Sequence, residues 1–261
     1  MQKIQLPPDK LDELSRSFEQ RPLRESLFLN SVPKSGSHLL RNIVRMFVPV
    51  EHQYKRDFIQ YAALKEHLPA FDGPPALLSW GHLFFSDISA IATSKARKIL
   101  LVRDPYTWVL AKARFLMSNE FTGELDFLKT APTTVDDLIN MMIFGLHRTN
   151  PSLHDIYTHN AVAWLGTGVF LVRYEELAAA ARDPGSDPNL RYFRELFDAC
   201  GIDLPDDWIE RVRIGADPAN SGTASQNLTG RVADVPRELS SLQKKLVDFA
   251  SPGLRELLGY A

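Results

Sequence analysis

The segment from Leu27 to Phe47 constrains the fold most, because it combines a buried strand, a tight turn and an amphipathic helix. Residues 27–32 are largely apolar, which is typical of a strand inside a sheet. The turn PKSGSH follows at residues 33–38, and apolar residues then recur at helical spacing on a helix that starts near Ser37. A strand that turns directly into a helix favours an α/β domain.

The turn at residues 33–38 is a candidate phosphate site. A strand that turns through small residues into a helix directs consecutive backbone N–H groups and a positive helix end to one point. Lys34 places a mobile cation beside that point. The alternative is an ordinary strand-to-helix loop with a solvated lysine, and this segment alone favours the phosphate site without excluding the loop.

Further short apolar runs alternate with helical patterns along the chain. They predict a parallel sheet that helices cover on both faces. Strands are predicted at residues 76–80, 98–102 and 169–172, and helices at residues 51–70, 106–117, 135–146, 153–164, 190–200, 206–212 and 239–249.

The chain is predicted to form a single domain over residues 1–261. Residues 1–25 are interpreted as an N-terminal helical extension, with Leu11, Leu14 and Phe18 on one side. Residues 215–234 are rich in Gly, Ser, Asn and Thr, and are interpreted as an irregular loop that serves the cofactor or the substrate.

Composition narrows the partners and the compartment. The net charge is -2, so no strongly basic field favours nucleic acid or an anionic membrane, and any anion site must use local cations. The single cysteine, Cys200, excludes an internal disulfide and a cysteine-based zinc cluster. Residues 1–25 lack the apolar core of a signal peptide or membrane anchor, so we expect a soluble, cytoplasmic protein.

Polar signals follow three of the predicted strands. The Lys34 turn follows the first strand, His82 follows the second, and Arg103 follows the third. Because ligands of parallel sheets bind beyond the carboxyl ends of the strands, we expect these residues to meet at one edge.

The turn does not match the common nucleotide-triphosphate motif, in which Gly-Lys-Ser/Thr ends the loop. PKSGSHLL instead resembles the phosphosulfate loop of the PAPS-dependent sulfotransferases, Pro-Lys-Ser-Gly-Thr-Thr/His-Trp/Leu. ILLVRDPYTWVLAKARF is similar to that family's 3′-phosphate strand and helix. LLSWGHL and LVRYEEL resemble the strand that carries the family's base and its Tyr-Glu-Asp/Glu segment, respectively.

The resemblance implies a P-loop-like three-layer α/β fold and sulfuryl transfer from PAPS, which leaves PAP, with no metal. It assigns His82 as the general base and Lys34 as the cation at the leaving phosphate. It places the rest of PAPS on the turn at residues 33–38, on Arg103 at the 3′-phosphate, and on a loop near the C-terminal end that includes Gly230 and Arg231. The predicted cofactor-binding residues are Lys34, Ser35, Gly36, Ser37, His38, Leu39, Arg103, Tyr174, Gly230 and Arg231.

Each assignment has a structural alternative. Arg103 could pair with Asp104 or Glu175, and His82 could be a hydrogen-bonded structural histidine. A hydrogen bond at the start of the helix would explain His38 as well as a phosphate contact does. Packing between the sheet and a helix would explain Tyr174 as well as a nucleotide contact does.

The chain departs from the family pattern near the expected base, at Trp80, and around the expected 3′-phosphate. Ala111 replaces a common serine, Trp80 replaces a common lysine, and NLTGRVADV keeps Gly230 and Asp234 but lacks the usual basic pair. Arg231, Lys112 and Arg114 are the candidates for the missing cation.

The sequence therefore predicts a sulfotransferase that acts on a hydroxyl or amine of a small acceptor, for which apolar walls are expected. The predicted partners are that acceptor, with no nucleic acid and no membrane, and a homodimer is left open. A non-catalytic nucleotide-binding module and, less favoured, a P-loop-type kinase remain the alternatives.

Overall fold

A parallel β-sheet lies at the centre of the protein. The computed structural model describes residues 9–54, 58–118, 124–146, 149–221 and 234–260. The strands in these ranges are β1 (Leu27–Ser31), β2 (Ile59–Gln60), β3 (Leu78–His82), β4 (Arg97–Val102) and β5 (Phe170–Arg173). Their order across the sheet is β2-β3-β1-β4-β5, and every neighbouring pair is parallel. The α/β class expected from the sequence is confirmed.

Helices connect and cover the strands. They are α1 (Leu11–Ser15), α2 (Ser37–Arg45), α3 (Asp87–Ala92), α4 (Pro105–Met117), α5 (Val135–Phe144), α6 (Leu153–Asn160), α7 (Tyr174–Ala180), α8 (Asp187–Cys200), α9 (Trp208–Ala216), α10 (Ser241–Ala250) and α11 (Leu254–Leu257). Short 3₁₀ segments occupy Val50–His52, Tyr61–Ala70, Asp126–Lys129, Val162–Trp164 and Pro218–Asn220. Within the described ranges, no helix has the length and apolarity that crossing a membrane requires.

Side chains of the central strands alternate between two apolar cores, one on each face of the sheet. Leu27 and Leu29 of β1 pack with α1, α2, α7, α8 and α9, whereas Phe28 packs with α4, α5, α6 and α10. Strand β4 alternates in the same way, with Leu101 in the first core and Leu100 in the second. Because both faces are covered, the strands are apolar almost throughout, and the protein has three layers.

The N-terminal segment is attached through a buried arginine. The Arg45 guanidinium pairs with Asp9 at 2.8 Å and Asp12 at 2.5 Å, and its side chain is only 5% exposed. Helix α1 is shorter than the sequence pattern predicts, since a turn follows Ser15. The paired arginine fixes α1 beside α2, the helix that follows the candidate phosphate loop.

The helix predicted over residues 51–70 is wrong. This stretch contains two 3₁₀ segments and β2, an edge strand of the sheet. Its apolar residues lack a helical period, and Pro69 lies inside the second segment, where an α-helix would lose a hydrogen bond.

Other predicted boundaries also differ. Strand β3 runs two residues later than predicted, so His82 is its last residue. Helix α6 ends at Asn160, and a 3₁₀ turn carries the chain to Trp164. Helix α3 was not predicted, although Ser86 and Ser89 form a reciprocal capping pair at its start. Helix α9 and a 3₁₀ turn extend into the predicted irregular loop 215–234, of which residues 222–233 lie outside the described ranges.

The strand order marks the position above β1 and β4 as the expected ligand site. From β1 the chain crosses to β2 and returns through β3, whereas from β4 it continues to β5 on the opposite side. Neighbouring strands whose connections leave in opposite directions open a cleft at their carboxyl ends, where ligands of such sheets bind. The Lys34 turn and Arg103 follow these two strands.

Gly215 allows α9 to approach α2 closely, and this approach provides a test of the packing. A Cβ at Gly215 would lie 2.6 Å from the Asn42 carbonyl oxygen and 2.7 Å from the Ile43 Cα. We expect Gly215→Ala to destabilise the fold by about 1–2 kcal/mol, because backbone overlap outweighs the higher helix propensity of alanine. Urea unfolding followed by circular dichroism measures the change.

Gly185→Ala is the matched control, because the nearest atom to its Cβ would be Ile209 Cδ1 at 3.7 Å. Its free energy of unfolding should stay within about 0.5 kcal/mol of wild type. A Gly215→Ala variant as stable as wild type would contradict the close helix contact.

Candidate active site

The turn after β1 is held in a strained shape. Lys34 has φ 66° and Gly36 has φ 88°, and the first of these is uncommon for a residue with a Cβ. The indole N–H of Trp108 donates to the Pro33 carbonyl at 2.6 Å, which ties the turn to α4. The Ser35 N–H donates to the Val32 carbonyl at 3.2 Å and closes the turn. Left-handed residues at such a loop are a frequent feature of binding sites.

Three consecutive amides of the turn form no backbone hydrogen bond within the described chain. They are the N–H groups of Gly36, Ser37 and His38. The Leu39 amide donates to the Gly36 carbonyl at 3.0 Å, and the Ser35 amide is used as described above. These three amides lie at the start of α2, where the helix dipole is positive, and can donate to an anion.

Tyr174, the first residue of α7, lies against the turn. A Cβ at Gly36 would overlap the Tyr174 ring, so only glycine permits this packing. The Arg103 guanidinium lies 4.6 Å from the centre of the same ring. Tyr174 therefore joins the loop to Arg103, which is a structural role compatible with the predicted nucleotide contact.

The Lys34 ammonium lies over an aromatic ring. Its Nζ is 2.9 Å from the centre of the Phe115 ring, on α4. The negative face of the ring stabilises the cation and limits the positions of a flexible side chain. This contact places the ammonium beside α4, the helix that follows Arg103.

The His82 ring is fixed by the neighbouring strand. Its Nδ1 lies 2.9 Å from the Ser31 carbonyl oxygen and 3.0 Å from the Ser31 hydroxyl. Because a carbonyl oxygen only accepts, Nδ1 carries the proton, and Nε2 of the neutral ring holds the lone pair. The Phe58 ring packs edge-on at 5.0 Å. His82 thus has the tautomer that a general base at Nε2 requires.

Burial keeps both histidines of the site neutral. The pKa of His82 is lowered to about 4, chiefly by burial and further by the nearby Lys34 ammonium, against the opposing bond to Ser31. The pKa of His38 is also lowered to about 4, by burial and by the Arg41 and Lys34 charges. The His38 ring packs edge-on against Trp80 at 5.1 Å. At neutral pH the positive charge of the site therefore resides on its lysine and arginines.

Arg103 follows β4 and is held by its neighbours without being neutralised. Its Nε donates to the Thr107 hydroxyl at 3.0 Å, and its carbonyl accepts from the Tyr157 hydroxyl at 2.7 Å. Within the part of the chain that the structure describes, Arg103 forms no ion pair. The guanidinium therefore keeps its charge available to an anion.

The two carboxylates that the sequence offered as partners of Arg103 bind other groups. Asp104 forms a two-point ion pair with Arg255, at 3.1 and 3.0 Å. Glu175 accepts from the Thr107 hydroxyl at 2.8 Å and from the Tyr260 hydroxyl at 2.9 Å. The structural alternative for Arg103 is therefore wrong in this conformation.

Of the candidates for the missing cation, Lys112 and Arg114 differ in their burial and in their position relative to Arg103. Lys112 is buried, donates to the Pro151 carbonyl at 3.3 Å, and has its pKa lowered to about 7 by burial. Arg114 bonds the Pro236 carbonyl, and its pKa is lowered by burial and by the charges of Arg103 and Arg237. Arg114 is thus within electrostatic reach of Arg103, on the helix face of Thr107 and Ala111.

The structure brings the Lys34 loop, His82 and Arg103 to one edge of three adjacent strands, as the sequence predicted. Gly230 and Arg231 lie outside the described residues. Sequence reasoning missed Ser31, Thr107 and Phe115, which orient the predicted residues. Thr107 follows Arg103 by one helical turn and could have been found from this spacing, whereas Phe115 gives no local signal.

The fold is similar to that of a solved sulfotransferase. No family model matches the chain, and no curated protein matches it in sequence. Among solved structures, it is similar to mouse sulfotransferase SULT7A1 complexed with PAP, with a TM-score of 0.57 and 16% identity. The similarity covers 97% of this chain and 94% of that one. The chain therefore has a sulfotransferase-type fold.

Proposed function

We propose that the protein is a PAPS-dependent sulfotransferase that transfers the sulfuryl group to a hydroxyl or amine of a small acceptor. The observation that carries the proposal is a pair of separated anion sites on adjacent parallel strands. One is the set of three amides beside Lys34, and the other is Arg103, which has no ion-pair partner in the described chain. PAPS carries phosphate groups at the 5′ and 3′ positions of its ribose, so it needs two groups of anion-binding donors. The solved SULT7A1 structure, which has the same fold, contains PAP.

The donor is expected to bind across the cleft above β1 and β4. The amides of Gly36, Ser37 and His38 would bind the 5′-phosphate at the start of α2. Arg103, assisted by Arg114, would bind the 3′-phosphate through a planar donor fork. Arg114 then replaces the cation that the family pattern supplies elsewhere.

His82 would accept the proton of the acceptor. Its Nε2 holds the lone pair because Nδ1 donates to Ser31, and its low pKa keeps it neutral when the acceptor arrives. As the acceptor oxygen or nitrogen forms its bond to sulfur, its proton passes to Nε2. PAP leaves with the electron pair of the broken S–O bond.

Lys34 would stabilise the leaving group. Negative charge grows on the bridging oxygen between phosphorus and sulfur as the sulfuryl group departs, and an ammonium at that point lowers the barrier. The contact with Phe115 holds Lys34 at the loop before the donor binds. Positioning and these cations supply the catalysis, so the proposal includes no metal.

The surface beyond β3 supports an apolar acceptor. Phe84, two residues after His82, is 43% exposed, and its ring centre lies 6.0 Å from that of Tyr61, which is 36% exposed. Ile88 adds a third exposed apolar side chain, at 40%. Exposed apolar groups beside a predicted base favour an acceptor with an aromatic or aliphatic body.

Ligand binding tests the proposal first. We expect adenosine 3′,5′-bisphosphate to raise the melting temperature, and ATP with magnesium to raise it much less. Arg103→Met should weaken binding of the bisphosphate at least tenfold, since a charge-assisted bond to phosphate is worth about 1.5–3 kcal/mol. Isothermal titration calorimetry measures the affinity.

Arg97→Met is the matched control, because Arg97 lies at the first residue of β4, at the opposite end of the strand from Arg103. Its affinity for the bisphosphate should equal that of wild type. Stabilisation by ATP with magnesium alone would favour the kinase alternative. Bisphosphate binding with no transfer from radiolabelled PAPS to any member of an acceptor library would favour the non-catalytic module.

His82→Asn tests the base. Asparagine retains a donor for the Ser31 carbonyl but has no basic nitrogen, so kcat should fall by about 10²–10⁴-fold while bisphosphate affinity stays within about twofold. Radiolabel transfer gives the rate. His154→Asn, which removes another histidine that bonds a serine hydroxyl at 3.1 Å, should remain fully active. Wild-type turnover in His82→Asn would exclude His82 as the base.

The pH profile tests the environment of the base. Because His82 has a pKa of about 4 in the folded protein, kcat/KM should be half lost near pH 4 rather than near 6.5. Below that pKa, Nε2 is protonated and cannot accept the acceptor proton.

Fold stability must be followed in parallel by circular dichroism. His38 and His82 both have folded pKa values below their unfolded ones, so their stabilising contribution is present above pH 6.5 and is lost as the pH falls toward 4. A half-loss of kcat/KM near pH 6.5 in a protein that remains folded would contradict a buried neutral base.

A further inference from the structure

The segment Leu254–Tyr260, here called the C-terminal clamp, lies against the end of β4 and the start of α7. Arg255 binds Asp104, and Tyr260 binds Glu175. Arg173, the last residue of β5, donates to the Leu258 carbonyl at 2.7 Å, and Leu258 is fully buried. The clamp is thus anchored at three points beside Arg103.

The clamp satisfies both carboxylates next to Arg103. Asp104 is the adjacent residue, and the Glu175 carboxylate bonds Thr107, which itself accepts from Arg103 Nε. A single chain of hydrogen bonds therefore runs from Tyr260 through Glu175 and Thr107 to Arg103. The ion pair with Asp104 also raises the pKa of Arg255.

Without the clamp, Asp104 would lose its two-point ion pair with Arg255, and Glu175 would lose the Tyr260 hydroxyl while keeping its bonds to Thr107 and to the Asp104 amide. Arg103 is a cation that these carboxylates could then attract, because Asp104 is its neighbour in the chain and Thr107 already bridges it to Glu175. A guanidinium that turned to these carboxylates would present less charge and fewer donors to an anion. The partially buried setting, with Arg255 and Asp104 side chains 23% and 16% exposed, strengthens this competition.

We propose that Arg255 and Tyr260 are positioning residues for the anion site, which hold Asp104 and Glu175 away from Arg103 and so keep its guanidinium available to the 3′-phosphate. This inference rests on the proposed function, since it concerns how the donor is held. It assigns a binding role to the C-terminal clamp, whose residues lie more than 150 positions after Arg103 in the sequence.

Two variants test the clamp through the preference for a 3′-phosphate. The dissociation constants of adenosine 3′,5′-bisphosphate and of 5′-AMP are measured by calorimetry for the full chain. In Arg255→Gln the bisphosphate should bind about tenfold more weakly, and in Tyr260→Phe about threefold, while 5′-AMP is unchanged. A loss confined to the 3′-phosphate is not expected from general unfolding.

Second substitutions that neutralise the released carboxylates should restore the preference. Asp104→Asn is added to Arg255→Gln, since asparagine can still cap α4, and Glu175→Gln is added to Tyr260→Phe. Each double variant should recover most of the lost bisphosphate affinity. Tyr54→Phe, which removes another tyrosine hydroxyl bond, to His67 at 3.0 Å, should leave both dissociation constants unchanged.

The outcomes separate the two claims. A wild-type protein that binds the bisphosphate no better than 5′-AMP overturns the proposed function and the role of the clamp with it. A wild-type protein that prefers the bisphosphate, with both single variants unchanged, overturns the clamp alone. Equal losses for both ligands, or double variants that fail to recover affinity, assign the clamp a structural role only and also overturn the inference.

Discussion

The parallel pairing of β1 with β3 on one side and β4 on the other is the constraint on which the site depends. The register aligns Leu29 with Trp80 and with Ile99, so the three strands end together. The loop, the histidine and the arginine each follow or end one of these strands. Their meeting is therefore set by sheet topology, and the apolar cores on both faces hold that topology in place.

Local pairing decides how much charge the site presents. The chain as a whole is slightly acidic, so an anion site cannot rely on a global field. Burial keeps His38 and His82 neutral, while Arg255 and Tyr260 take up the carboxylates beside Arg103. Arg103 thus has no ion-pair partner among the described residues at the position proposed for the 3′-phosphate, and the proposed base, His82, stays deprotonated.

Much of the fold was predictable because its central strands and long helices have strong apolar patterns. The strand at residues 27–31 carries apolar side chains on both faces. The turn that follows it, PKSGSH, combines small residues with a lysine, which is typical of an anion-binding turn. Strand β2 was missed since two residues carry no period, and its pairing with β3 is set by tertiary contact. Helix α3 is a single short element whose capping serines are a weak signal alone.

The residues of the candidate site were predictable from the sequence, but the hydrogen bonds and ion pairs that orient them were not. Lys34, His82 and Arg103 stand in sequence motifs, so their meeting at one edge followed from the strand pattern. The tautomer of His82 depends on Ser31, fifty-one residues earlier, and Asp104, the neighbour of Arg103, pairs with Arg255 of the C-terminal clamp. Such long-range hydrogen bonds leave no trace in local spacing, and only the folded chain reveals them.

A crystal structure with adenosine 3′,5′-bisphosphate tests the central claim most directly. The account predicts the 5′-phosphate within hydrogen-bond distance of the Gly36, Ser37 and His38 amides, and the 3′-phosphate on the Arg103 guanidinium, with Arg255 still bound to Asp104. A 3′-phosphate held away from Arg103, or a bisphosphate bound outside the cleft above β1 and β4, would contradict it.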